Sequence, residues 1–258
     1  MARRIICISY KMFTLFFLAL GILLNVYKTT SIRAILSYYT LQSNLWCLLA
    51  FFAFTFLEFR KKRYKTDIYY MIKGAIIIEI LITAVVYRIA LAPTGFSMDS
   101  LRESIIGNQF ANFLVHTFSP LLVTLDYFLF DEKGNFKYFY PFIWLILPLN
   151  YIVYVYTYSS MGGKFYSIGG SRHFAYFFLD YEKIGYIGVL KWIIAMAIFI
   201  LMIGLGFVVL DKLLARIRAR KWKNERFRLM NLSFFFKIDA EAICLRRKNN
   251  LEAVFKFI

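Results

Sequence analysis

Acidic residues are scarce in this chain. Fifteen Asp and Glu face 32 Lys and Arg over 258 residues, leaving a formal net charge of +17. Histidine is rarer still, with two copies, and the three cysteines, Cys7, Cys47 and Cys244, lie far apart. No Cys-x-x-Cys pair occurs, so the cysteines read as free thiols and not as a disulfide framework or a zinc site. Two histidines without His-Glu or Cys partners at ligand spacing leave no transition-metal set. A phosphate-cradling loop is also missing. Gly204-Leu205-Gly206 sits inside an apolar run and follows no strand, so it is not a dinucleotide motif. The residues therefore call for no metal and no cofactor. No internal repeat is visible, which counts against the inverted halves of many secondary transporters.

What is abundant is apolar side chain. Hydrophobic residues make up 60% of the chain and aromatics 20%, where a soluble domain of this size is nearer half apolar. The charges collect in short clusters between long apolar runs, the pattern expected where lipid is the solvent. The runs are Ile5 to Tyr27, Leu36 to Phe59, about Ile68 to Leu91, about Gln109 to Phe130, about Tyr138 to Tyr158 and about Tyr186 to Leu210. Each is long enough to cross a bilayer as a helix. The first follows Arg3-Arg4 as a signal peptide would. Its length and the lack of a small-residue cleavage site mark it as an uncleaved span. Pro141 suits a helix start, and Pro148 should kink the interior of the fifth span. The expected fold is an all-α, polytopic transmembrane helical bundle of about six spans over residues 1–215. A basic cytoplasmic tail follows over 216–258, with an apolar patch, Leu229 to Phe236, too short to span.

Orientation follows from the basic residues beside the spans. Arg3, Arg4, the cluster Arg60 to Lys65, Lys133, Lys137 and the tail from Arg216 fall on one side. The other side receives only Lys28, Arg33, Arg88, Arg102, Lys164, Arg172 and Lys183. Both termini are therefore expected in the cytoplasm, in a multi-pass protein of the cell membrane. The positive charge reads as topology and as attraction to anionic membrane lipids, not as nucleic-acid binding.

Ionisable residues inside spans are the natural pointers to function. Glu79, His116 and Asp126 are such residues, while Arg88 and Lys191 sit near span ends and can snorkel. Ser37, Thr40 and Asn44 follow helical spacing on the second span, as do Asn112, His116, Ser119 and Pro120 on the fourth. Both spans run in the same direction. Thr40 lies roughly 6 Å and His116 roughly 12 Å below the outer ends of their helices at 1.5 Å per residue. A shared polar pocket in the outer half is one reading. Polar glue between helices is the other. His173, in a glycine-containing outer segment, reads as a solvated loop residue.

Three short motifs carry a family resemblance. Tyr39-Thr40 with Ser43-Asn44 opens span two, Val115-His116-Thr117 with Pro120 lies in span four, and Phe178-Leu179-Asp180 precedes span six. In order and placement they resemble the androgen-induced and androgen-dependent TFPI-regulating membrane proteins, and most closely that family's bacterial six-span relatives. The resemblance covers most of residues 1–215. It departs from the animal members at Ser43-Asn44 and in the spacing from His116 to Pro120. It implies a threonine-dependent hydrolase of fatty-acid esters, with Thr40 and His116 as the catalytic pair. Under that reading Thr40 is the nucleophile and His116 its base. Asn44 is then a candidate oxyanion donor. Asp180 either orients His116 or caps the sixth helix. The alternative is a non-enzymatic membrane protein, a small transporter or lipid-interacting protein, with Glu79, His116 and Asp126 as an ion path.

Overall fold

The computed structural model describes residues 2–27, 36–60, 65–91, 110–167 and 170–255, with side chains described as far as Trp222. The polar segment Ser97 to Asn108, the turn at Pro93-Thr94-Gly95 and the side chains of the tail patch Leu229 to Phe236 lie outside that description. Among the described residues six helices are long and apolar enough to cross a membrane. They are α1 (Ala2–Tyr27), α2 (Tyr39–Phe59), α3 (Asp67–Val86), α4 (Phe110–Phe130), α5 (Tyr140–Ser160) and α6 (Tyr181–Phe255). The backbone of α6 runs on beyond residue 215 without a break. Between α5 and α6 a two-stranded hairpin, β1 (Phe165–Ser167) with β2 (Gly170–Arg172), pairs antiparallel.

Local chemistry explains the helix ends. Thr66 caps α3 by accepting from the Tyr69 amide, which satisfies one of the orphan donors of a first turn. Pro141 stands in the first turn of α5, where its missing N–H costs nothing. Pro148 cannot donate to the carbonyl of Trp144, and the α5 helix breaks there, at Leu145. Gly185 takes φ 69°, a left-handed value that glycine adopts without strain, and it bends the first turn of α6 away from the long helix that follows.

The main core gathers Leu18 of α1, Phe51 of α2, Ile77 of α3, Tyr127 of α4, Trp144 of α5 and Val208 of α6. Gly74 lets α3 and α5 meet: a β-carbon there would overlap the Trp144 indole. Large apolar side chains such as Phe16, Phe52 and Ile194 point outward from their helices. Such an outer face suits lipid and would be costly in water.

The two ends of the bundle differ. At one end Arg4 donates to the carbonyls of Glu58 (2.7 Å) and Phe59 (3.1 Å), Lys65 to that of Phe130 (2.8 Å), and Lys212 to that of Gly134 (2.6 Å). The α1 start, the α2–α3 and α4–α5 connections and the inner part of α6 therefore share one basic rim. At that rim Asp211 accepts from the amide of Phe136 (3.0 Å) and from the hydroxyl of Tyr127, pinning the α4–α5 turn. The opposite end is roofed by an aromatic cap in which Tyr151, Val155, Phe165, Phe174 and Leu179 form a second core.

Candidate functional site

Below the aromatic cap lies a cavity of about 80 Å³ between α2, α3, α5 and α6. Its wall is apolar except for Thr40, Thr83 and the tyrosines Tyr39, Tyr87, Tyr151 and Tyr176. By volume it admits several water-sized groups, but so apolar a wall favours hydrocarbon over water.

Thr40 stands in the first turn of α2 and lines this cavity. Its side chain lies beside Tyr176, whose ring neighbours that of Tyr151 at 6.3 Å. Tyr176 comes from the cap, outside the spans, and burial pushes its phenol up to about 12. It thus keeps its proton at neutral pH and stays a hydrogen-bond donor. Beside Thr40, the Ser43 hydroxyl bonds the Thr40 carbonyl (3.0 Å) and the Thr83 hydroxyl (2.7 Å).

His116 stands one layer behind the wall. Its ring lies near the backbone of Thr83 and stacks on Tyr87, with ring centroids 3.7 Å apart and planes 12° apart. Both Thr83 and Tyr87 line the cavity. The buried Nδ1 of His116 has no hydrogen-bond partner among the described residues. A neutral imidazole that donates through one nitrogen holds its lone pair on the other.

Both stacked residues belong to π-helical turns, Tyr87–Leu91 and Leu114–Phe118. A π turn inserts a residue and rotates the chain before it relative to the chain after it, and such turns recur at functional sites. This corrects one expectation. Asn112 was placed on a face with His116 and Ser119 by i, i+4 spacing, yet it is exposed while they are buried. The π turn between them breaks the spacing.

Asn44 joins the two motifs. Its amide nitrogen donates to the carbonyl of Thr40 (2.8 Å) and to that of Val115 (3.1 Å), the residue before His116. This ties the Thr40 turn to the residue before His116, but no hydrogen bond joins the Thr40 hydroxyl to the His116 ring among the described residues. Both Asn44 N–H groups are spent on these carbonyls, so in this arrangement Asn44 clamps the helices and offers no donor to a reacting oxygen. Asp180 is not brought to His116. It stands immediately before α6, where its carbonyl accepts from the Ile184 amide (3.1 Å) and its carboxylate lies 3.3 Å from Lys183.

The remaining intramembrane charges each have local partners. Glu79 accepts from the hydroxyl of Tyr39 (2.6 Å), and Arg88 donates to Thr117 (2.9 Å). Asp126 lies towards the basic rim, where Lys11 of α1 reaches both its oxygens at 2.8 and 2.7 Å and Lys73 of α3 binds one of them. All three side chains are fully buried, and Phe51 presents its ring to both ammonium groups at 5.4 and 4.5 Å. Lys11 and Lys73 were missed as functional candidates, although a lysine inside an apolar run is itself a signal. Tyr176 left no comparable mark, because it lies in a connecting segment.

Comparison with protein-family models, with curated proteins and with solved structures finds no match.

Proposed function

We propose that this protein is a multi-pass enzyme of the cell membrane, both termini cytoplasmic, that hydrolyses lipid esters with Thr40 as nucleophile. The observation that carries the reading is the position of the Thr40 hydroxyl on the wall of an otherwise apolar cavity, one helix layer from a histidine with a free ring nitrogen. The basic rim supports the orientation by the positive-inside rule. The cavity then lies in the outer half of the bilayer.

The chemistry follows from the groups present. A threonine hydroxyl is too weakly acidic to attack an ester at neutral pH unaided. As Thr40 Oγ1 bonds to the ester carbonyl carbon, its proton passes to Nδ1 of His116. Tyr87 covers the imidazole, so this step requires that ring to swing aside as substrate enters. The Tyr176 hydroxyl, already at Thr40, donates to the carbonyl oxygen as negative charge develops there. Collapse breaks the bond to the alcohol, which leaves with the proton from His116. Water, deprotonated by the same nitrogen, then attacks the threonyl ester, and Thr40 regains its hydrogen as the fatty acid departs. Asn44 keeps the two helices in register throughout.

The test is turnover of a long-chain fatty-acid ester by purified protein in detergent or nanodiscs. Thr40→Ala and His116→Ala should each lose hydrolysis while the protein keeps its elution profile and thermal transition. Wild-type turnover in either folded variant would remove that residue from the mechanism.

A further inference from the structure

The cavity has a side as well as a roof. On one flank it is bounded by α5 residues such as Leu149 and Ile152, on the other by α6 residues such as Trp192 and Met196. These two helices are fastened together at their ends. Towards the basic rim, Gly204 of α6 packs directly on Pro141 and Trp144 of α5, with a β-carbon position 3.0 Å from the proline ring. At the cap, Tyr156 of α5 bonds the Leu179 carbonyl (2.9 Å) and its ring lies 6.3 Å from that of Tyr181. Between those two fastenings no hydrogen bond or ring contact joins α5 to α6 among the described residues. The rim of the slot is apolar and open: Leu149 is 44% and Trp192 41% exposed although both line the cavity. In a helix of a membrane span, such exposed apolar side chains face hydrocarbon.

The geometry points to a lateral portal: we propose that one acyl chain of an outer-leaflet lipid enters the cavity sideways between α5 and α6. Its occupant is the ester end and first few methylenes of a hydrocarbon chain, the rest of which stays in the lipid, and not a partner helix, because a helix with side chains is about 10–12 Å across and the cavity holds about 80 Å³. Thr40 and Tyr176 are among the polar groups of an otherwise apolar lining, so the chain lies along the slot with its ester end at Thr40. Trp192 sets the upper edge of the slot. Its indole packs on Phe177 (5.6 Å) and Phe178 (5.9 Å), and Phe178 stacks on Tyr176 at 5.1 Å. A chain that displaces Trp192 thus pushes on the ring that lies beside Thr40. Ala197, facing the cavity from α6, leaves the room the chain needs.

The portal rests on the reading of this cavity as the substrate site, but chain binding and hydrolysis can be separated. Full-length protein would be reconstituted in nanodiscs of phosphatidylcholine carrying a diazirine in one acyl chain, irradiated and mapped by peptide mass spectrometry. Label is expected on Leu149, Ile152 and Met196. Ala197→Trp, which fills the slot, should lower it at least five-fold, whereas Leu149→Ala, which widens the mouth, should raise it. Val153→Trp, on the lipid-facing side of α5, should leave it unchanged. Thr40→Ala should label like the wild type even if it hydrolyses nothing, so loss of hydrolysis with retained label leaves the portal standing. Label spread evenly over all outward faces, or insensitive to both Ala197→Trp and Leu149→Ala, would overturn the portal whatever the turnover.

Discussion

Replacing Asp126 by Asn should destabilise the protein more than any other single change of charge in it. The carboxylate is shared by Lys11 and Lys73, and all three side chains have no solvent exposure. Both ammonium nitrogens reach the same carboxylate oxygen, so they lie within about 5 Å of each other. Without the intervening charge their mutual repulsion at an effective dielectric of about 20 is roughly 3 kcal/mol. Removing one member of a buried ion pair costs about 3–5 kcal/mol, because a charge is left uncompensated. Lys73 keeps Asp131 at 3.7 Å, and Lys11 has no second carboxylate among the described ion pairs. Lys11→Met alone leaves the Asp126–Lys73 pair intact and should cost less. The double variant Lys11→Met with Asp126→Asn removes the repulsion, so it should be more stable than Asp126→Asn alone by up to about 3 kcal/mol. Reversible unfolding in mixed micelles, followed by tryptophan fluorescence, measures all three. If the double variant costs the sum of the two single changes, the shared-carboxylate account is wrong.

Gly74→Ala should lower stability by about 1–3 kcal/mol or more by overpacking, since the added methyl overlaps the Trp144 ring. Gly74→Ala with Trp144→Leu should recover part of that loss in the same unfolding assay. At the basic rim, burial lowers the Lys133 ammonium to about 8, against the opposing pull of Asp131 and Asp211. An unfolded lysine holds its proton to about 10.4. Between these values the unfolded chain binds more protons, so this residue makes stability rise with pH from about 8 to about 10.4. Lys133→Met should flatten that rise in Tm-against-pH curves, and an unchanged slope would show that Lys133 stays charged throughout the window.

Much of the architecture was legible because lipid imposes a simple pattern. Six apolar runs, bounded by basic clusters and by Pro141, became six helices; the ends of the first five moved by only a few residues, while the sixth helix continues from the apolar run into the basic tail. Pro148 announced the break at Leu145 through the hydrogen bond it cannot make. The site was legible in part. Similar depth on parallel spans pointed to Thr40 and His116 together; in the structure Thr40 lines the cavity, His116 stands behind its wall, and Asn44 ties the Thr40 turn to Val115. The π turns left no trace in helical spacing, and for that reason Asn112 was put on the wrong face. Tyr176 reaches Thr40 from a connecting segment whose course no periodicity encodes. Lys11 and Lys73 stood in plain view inside apolar runs, but their convergence on Asp126 depends on how α1, α3 and α4 pack.

The most direct measurement is covalent. Purified wild-type protein treated with an alkyl fluorophosphonate should carry one adduct, mapped by peptide mass spectrometry to Thr40, lost in Thr40→Ala and slowed at least a hundred-fold in His116→Ala. No adduct on folded protein that cleaves the ester, or an adduct at another residue that survives Thr40→Ala, would contradict Thr40 as the nucleophile.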